Sequence, residues 1–443
     1  MKKYGSTLFM IIFLIFLLIP SAGIIVFGPS ESENGEEIEK PVIYTEEDGI
    51  NFYYLQELGD LFEQRFALRQ QFVTAYSYIT ENLFGVSSQD RVIIGLDGWL
   101  FYNDTLADYQ RTNILNSRQI HNAVRHLELI NEYCQDNGID FVFVIAPNKN
   151  TLYSEYMPHY LIQGEGESNR QLLTGYLADT DVSYIDFGSY DTFTDPDAAF
   201  YFRRDTHWNN MGAAIASNAI LSMVGVDHHN YVYDEYYSVE DHYGDLDQMI
   251  HPSSVILESD IYFINMPVFS YVNEVESNFD PRIYTTSEGT GSLLMYRDSF
   301  AIAMLPFMAE PFETAFFSRS NSCQINDFLS NAPDILIMEK AERFLSQLCT
   351  SPSRLPAPVR DLPAEAVAVE IADFAAAEAG DYVTVTGTLP EGSWEDDSII
   401  YIVSGDMCFE AYPVSDIYEG TEGFQALLEK NSVSTDNIMV FIA

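Results

Sequence analysis

Two short segments hold the residue types from which an acyl-transfer site can be built. One reads Tyr201-Phe202-Arg203-Arg204-Asp205-Thr206-His207-Trp208-Asn209, the other Leu293-Leu294-Met295-Tyr296-Arg297-Asp298-Ser299-Phe300. Nucleophilic acyl transfer needs a hydroxyl, an imidazole to take its proton and a carboxylate to orient the imidazole. In an extended segment, residues i and i+2 face the same side, so Asp205 can lie near the His207 ring or share a cleft wall with it. Ser299 follows an apolar run and precedes a helix-like one. Backbone N–H groups at a helix N-terminus stabilise both an alkoxide and a developing oxyanion. Each signal alone has a plainer reading: Asp-x-His is common, and a serine before a helix is usually a cap.

The surrounding pattern supplies elements that can position these residues. Phe141–Ala146 is a continuous apolar run of the kind buried on both faces of a parallel sheet. Short strands are predicted at Val182–Phe187, Ser292–Tyr296 and Ile335–Met338. Helical spacing marks Ser117–Gln135, Leu172–Leu177, Met211–Val224 (with Asn209 or Asn210 as cap) and Ala301–Ala309. Alternating strands and helices predict an α/β domain with a mainly parallel sheet, and in such sheets sites lie beyond the carboxyl ends of the strands. Upstream, Asn51–Phe84 reads as a helical lead-in. Val92–Phe101 reads as a hairpin around Asp97-Gly98. Five prolines in Ser351–Pro363 mark a boundary. Beyond it, Val367–Ile371, Tyr382–Leu389, Ile399–Val403 and Ile438–Ile442 are strand-like.

Several blocks occur in a fixed order: Gly95-Leu96-Asp97-Gly98-Trp99-Leu100-Phe101, Pro147-Asn148-Lys149, Asp205-Thr206-His207-Trp208, Gly244-Asp245-Leu246, Arg297-Asp298-Ser299-Phe300 and Glu339–Arg343. Together they resemble the SGNH-like acetyltransferase domain of alginate O-acetyltransferases and the related DHHW proteins, over roughly residues 50–345. The resemblance implies an SGNH-hydrolase-like (flavodoxin-like) fold. It also implies Ser299 as nucleophile, His207 as general base and Asp205 as its orienting partner. Two departures stand out: Thr206 replaces the first histidine of the family's eponymous motif, and Arg297 stands where SGNH esterases have glycine. Asn148, Lys149, Arg297, Trp208 and Arg204 are the candidates for oxyanion or substrate contact. Lys149, Arg203, Arg204 and Arg297 can form a cationic spot that stabilises an oxyanion or grips an anionic group, or can simply pair with the abundant acids. No metal-spaced cluster is present; His228, His229 and His242 lie in a Tyr- and Asp-rich loop stretch, and His251 reads as a turn residue.

Composition bounds the setting. The chain has 443 residues, and a hydrophobic fraction of 47% excludes global disorder. A formal net charge of −46 repels nucleic acid and other polyanions at long range. Lys2 and Lys3 precede an apolar run, Leu8–Phe27, long enough to span a bilayer, and acids follow it. The positive-inside rule then places the body outside a single-pass membrane anchor, or in the medium if the segment is a cleaved signal. Four cysteines do not make a disulfide framework; Cys323 and Cys349 are the one plausible pair.

The expected organisation is an anchor or signal at 1–27, an acidic linker at 28–48, the acyltransferase domain at 49–350, a Pro-rich linker at 351–364 and a β-rich module at 365–443. The expected activity is transfer of an acetyl group to a hydroxyl of an extracellular polysaccharide. By charge the acceptor is neutral rather than polyanionic. No cofactor is expected; the resemblance implies an acetyl donor supplied by a polytopic membrane acyltransferase. An acetylesterase with the same triad and a non-catalytic glycan-binding protein are the alternatives.

Overall fold

Phe141–Ala146 does lie inside a sheet. The structure is a computed structural model that describes residues 2–30, 40–45, 49–193, 199–417, 420–433 and 438–443. The chain divides into two units, one of residues 1–94 and 243–257, the other of 95–242 and 258–443.

In the second unit the strands used below are β1 (Asp140–Ala146), β2 (Tyr184–Asp186), β3 (Tyr236–His242), β4 (Glu258–Phe263), β5 (Ser270–Tyr271), β6 (Arg282–Thr286), β7 (Ser292–Tyr296), β8 (Thr314–Ser318) and β9 (Ile335–Ala341). Seven of them form one sheet in the order β2-β1-β9-β7-β8-β6-β5. The first five are parallel, and β6 and β5 extend the edge antiparallel. The expected α/β fold with a mainly parallel sheet is therefore present. Strands β7 and β8 are tied in register from Ser292–Thr314 to Tyr296–Ser318. The carboxyl ends of β1, β7, β8 and β9 thus lie side by side, where an open α/β sheet carries its site.

Helices flank the sheet: α1 (Ser117–Asp136), α2 (Asn169–Leu177), α3 (Asn210–Met223) and α4 (Ala301–Ala309). Helix α1 starts at a capping box, in which Asn116 accepts the Gln119 N–H and the Gln119 side chain accepts the Asn116 N–H. Asn209 caps α3 by accepting the Gly212 N–H. Strands β6 and β8 and the paired ribbon β3–β4 were not legible in the sequence. In β3, Tyr236–Asp241 are all exposed, so no buried face imposes a hydrophobic alternation.

The C-terminal module is two four-stranded antiparallel sheets that share one core, with Val385, Ile402, Phe424, Leu428 and Val440 among its buried residues. It is joined closely to the α/β part. Tyr412 and Leu427 of the module belong to the same buried cluster as Leu127 and Ile130 of α1. Arg125 of α1 donates to Glu410 through two nitrogens at 2.6 and 2.7 Å. Arg360 bridges Glu410 and Glu132. All four cysteines are free and buried, so no Cys323–Cys349 bridge exists.

In the first unit, Lys2–Phe27 is helical and the lead-in is two helices, Tyr54–Arg65 and Arg69–Phe84, broken at Leu68 with φ 63°. Among the described residues no helix is long and apolar enough to cross a membrane. Most of the expected acidic linker lies outside the described residues. His251 is more than a turn residue: it is fully buried, bonds Asp247 at 2.7 Å and stacks on Tyr78.

His126 of α1 yields a pH prediction. It is buried, with Nδ1 on the Leu348 carbonyl at 2.7 Å and Nε2 at Ser353. Burial drives its pKa down to about 4. A depressed imidazole stabilises the fold fully above its unfolded pKa near 6.5, and that contribution is lost as pH falls towards about 4. Denaturant titrations should show an acid loss of up to about 3 kcal/mol over that window, reduced in His126→Asn. Equal slopes for the two proteins would count against the assignment.

Candidate active site

The site is assembled from two loops that the fold drives together. Residues 200–209 form a small antiparallel turn, with Tyr201 bridged to Trp208, the Phe202 N–H on the His207 carbonyl and the Asn209 N–H on the Phe200 carbonyl. The turn displays Asp205 and His207 together. The second loop leaves the end of β7 and enters α4, carrying Ser299. His207 Nε2 lies 2.8 Å from Ser299 Oγ, and His207 Nδ1 lies 2.8 Å from Asp205 Oδ1. Asp205 is buried, while Ser299 and His207 are half-buried, so the chain runs from interior to surface.

Asp205 has a second histidine. His242, at the end of β3, places Nε2 3.0 Å from Asp205 Oδ2, and its ring stacks on Phe202 at 3.7 Å. Oδ1 meanwhile accepts the His207 backbone N–H at 2.8 Å. Burial alone would lower the His242 pKa, but the Asp205 bond and the charges of Asp205, Asp260 and Glu258 raise it above its ordinary value. Sequence reasoning passed over His242 because its partner lies 37 residues away and no local spacing connects them.

The nucleophile loop is pinned by Asp298. Its carboxylate accepts the Phe300 N–H at 2.8 Å and the Ala341 N–H at 2.7 Å, while its own N–H donates to Glu339. These bonds tie the loop after β7 to the end of β9. Between the two loops, Trp208 Nε1–H donates to the Phe300 carbonyl at 2.9 Å. The residues next to His207 and Ser299 are therefore bonded directly to each other.

The remaining expected contact residues occupy different places. Trp208 is 1% exposed and packs edge-on to Phe300 and Phe187, so it joins the two loops rather than meeting a substrate. Lys149 is also buried: its ammonium donates to the carbonyls of Phe202, Arg203 and Asp205 and lies over the rings of Trp99 and Phe101. It straps the catalytic turn from behind. Asn148, buried, gives its amide to Asp108 and its N–H to Glu342. Arg203 and Arg204 hold Glu258 through their backbone N–H groups. Arg297, 3% exposed, donates to the carbonyls of Asn278 and Asp280.

The Gly95–Phe101 block forms the wall beneath Lys149. Asp97 and Gly98 both have positive φ, 52° and 81°, as a tight hairpin turn requires. A Cβ on Gly95 would sit 2.5 Å from the Tyr156 carbonyl, so only glycine fits there. His228 and His229 are engaged with Asn218 and Asp234.

Residues 92–256 match the family model described as SGNH hydrolase-like domain, acetyltransferase AlgX, which bears out the resemblance over that span. The span contains Asp205, His207 and His242 and ends before Ser299. No curated protein sequence matches. Among solved structures, that of Bacillus cereus PatB1 with a sulfonyl adduct is similar at 15% identity and TM-score 0.43, over 57% of this chain and 97% of that one. A DHHW family protein from Eubacterium siraeum is similar at 14% identity and TM-score 0.41, over 51% and 88%. Pseudomonas aeruginosa AlgX is similar at 15% identity and TM-score 0.35, over 83% and 96%.

The Trp208–Phe300 bond is testable. Trp208→Phe keeps an aromatic filler and removes the donor. It should cost about 1–3 kcal/mol of stability. Because a displacement near 1 Å can cost about 10²-fold in rate, turnover of a chromogenic acetyl ester should fall roughly 10–100-fold with KM little changed. Unaltered turnover in a folded variant would mean that the bond does not set the His207–Ser299 geometry.

Proposed function

We propose that this chain is an extracytoplasmic O-acetyltransferase that moves an acetyl group through Ser299 to a hydroxyl of a polysaccharide. The observation that carries the reading is the unbroken Ser299–His207–Asp205 chain, with both contacts at 2.8 Å, in an SGNH-like domain.

In the first half-reaction, Ser299 Oγ attacks the acetyl carbonyl carbon while His207 Nε2 takes its proton. His207 then delivers that proton to the leaving group, and the acetyl ester of Ser299 remains. In the second, His207 takes the proton of a sugar hydroxyl, whose oxygen attacks the ester carbonyl. Ser299 departs and regains the proton from His207, so no acid or base is consumed. Asp205 keeps Nδ1 protonated and balances the imidazolium charge. The positive end of the α4 dipole favours the oxyanion that develops beside Ser299.

His242 acts as a positioning residue by fixing Oδ2 so that Oδ1 stays aimed at His207. The net charge of −46 favours a neutral acceptor over a polyanion. The Leu8–Phe27 run supports a membrane anchor that holds the enzyme beside a membrane-delivered acetyl donor. A mature protein starting near Gly23 and found in the medium would refute that anchor.

Purified protein given an acetyl ester and a neutral oligosaccharide should yield acetylated sugar; acetate as the sole product would make it an esterase. Ser299→Ala should abolish turnover without unfolding, leaving about 10³–10⁴-fold over water. Near-normal turnover would assign another nucleophile. For His242, Ala should lower kcat about tenfold at constant KM, and Gln, which keeps a donor, should restore most of it. Equal losses in Ala and Gln would reject the positioning role.

A further inference from the structure

Beside the serine loop, at the carboxyl ends of β7, β8 and β9, lies a cavity of about 150 Å³. Arg297, Asp298, Arg319, Ser320, Glu339 and Lys340 contribute to its lining. In a chain with 67 acids and 21 basic residues, three cations around so small a space should be neutralised. They are not. Arg297 donates only to the carbonyls of Asn278 and Asp280, and its Nε and Nη1 are buried without a hydrogen-bond partner. Arg319 donates to the Phe279 carbonyl, and Lys340 to the Gln347 amide oxygen. Among the described residues no carboxylate forms an ion pair with any of the three.

The two acids on the lining act on Arg297 and Lys340 through space, without a direct ion pair. Asp298 spends both oxygens on backbone amides. Burial and the Asp298 charge hold Glu339 well above the usual carboxylate range, and its Oε1 is buried without a hydrogen-bond partner. Burial and the neighbouring Arg319 pull the Arg297 guanidinium down to about 10, and burial lowers Lys340 as well. Unpaired buried cations are costly, and a bound anion removes the cost. A space of this size admits one compact group with a few waters rather than a run of sugars.

We propose that this cavity is an anion subsite holding one compact oxyanion group, a carboxylate or a phosphate, of a molecule that reacts at Ser299. The anion binding is inferred from charge and shape; its use in turnover rests on the transfer reaction proposed above. The subsite is the local exception to a surface that repels polyanions, so it suits a single anionic group. Arginine forks and a lysine point charge suit carboxylate and phosphate oxygens alike.

Calorimetric titration of inorganic phosphate, and separately of acetate, into the full chain and into Ser299→Ala reads the binding without any turnover. Saturable one-site binding is expected for both proteins. It should weaken at least tenfold in Arg319→Gln, whose side chain is exposed, and in Lys340→Met, each checked for folding by circular dichroism. No saturable binding, or unchanged affinity in both folded variants, overturns the subsite. Its source is read from kinetics that pair acetyl phosphate against a neutral acetyl ester as donor, and glucuronate against glucose as acceptor. Arg319→Gln should reduce the anionic-over-neutral preference at least tenfold on whichever side carries the group. Preferences unmoved on both sides overturn its role in the reaction, while absence of any ester turnover sinks the transferase reading and leaves the calorimetric result standing.

Discussion

The hydrogen bond from the Trp208 indole to the Phe300 carbonyl, 2.9 Å long, is the constraint on which the site geometry depends. Ser299 and His207 sit on loops 92 residues apart in the chain. Loops of that kind are free to drift by an ångström or more unless something rigid spans them. Here the residues immediately after the base and after the serine are bonded to each other inside a box of aromatic rings that includes Phe187, Tyr201 and Phe300. A buried indole N–H needs a partner, so the box holds only when the two loops are in register. The same requirement that satisfies a buried donor also sets a Ser–His contact of 2.8 Å.

The rest of the site extends this logic outward. Each reactive side chain is held by a group that is itself buried and committed. Lys149 donates to three carbonyls of the Asp205 turn while Trp99 and Phe101 cover it from below. Asp298 stitches the serine loop to the end of β9 through two amides. Asp205 is fixed at both oxygens, by His207 on one and His242 on the other. A ring stacked at 3.7 Å on Phe202 leaves His242 little freedom to swing away. Such supports matter because first-layer groups are only as precise as what holds them.

The parts legible in the sequence were those whose signal is local. The apolar run ending at Ala146 became β1, Ser292–Tyr296 and Ala301–Ala309 were found at the same boundaries, and Asp-Gly in the Gly95–Phe101 block turned as expected. Asp205, His207 and Ser299 could be singled out because i, i+2 spacing and a strand–helix junction each carry a meaning. What stayed hidden depends on distance in the chain. Nothing near His242 points to Asp205, and nothing near Lys149 says that it serves backbone carbonyls instead of an oxyanion. The strand Ala372–Ala379 is exposed along its whole length and so shows no apolar alternation. Trp208, a candidate contact residue in the sequence, adjoins the base, and adjacency to a catalytic group is equally what a brace requires.

The charge distribution gives the last step. A protein this acidic should neutralise its few cations wherever they fall, and it does so at the module junction, where Arg125, Glu410, Arg360 and Glu132 form a continuous chain of ion pairs. Lys149 donates to three backbone carbonyls of the catalytic turn. Arg297, Arg319 and Lys340 are left without an ion pair around a cavity where Asp298 is bonded to amides and Glu339 is held well above the usual carboxylate range. Acids were available in excess, so the imbalance is not for want of partners. It is kept at the carboxyl edge of the sheet, beside the serine, which is the one place where an incoming group would complete it.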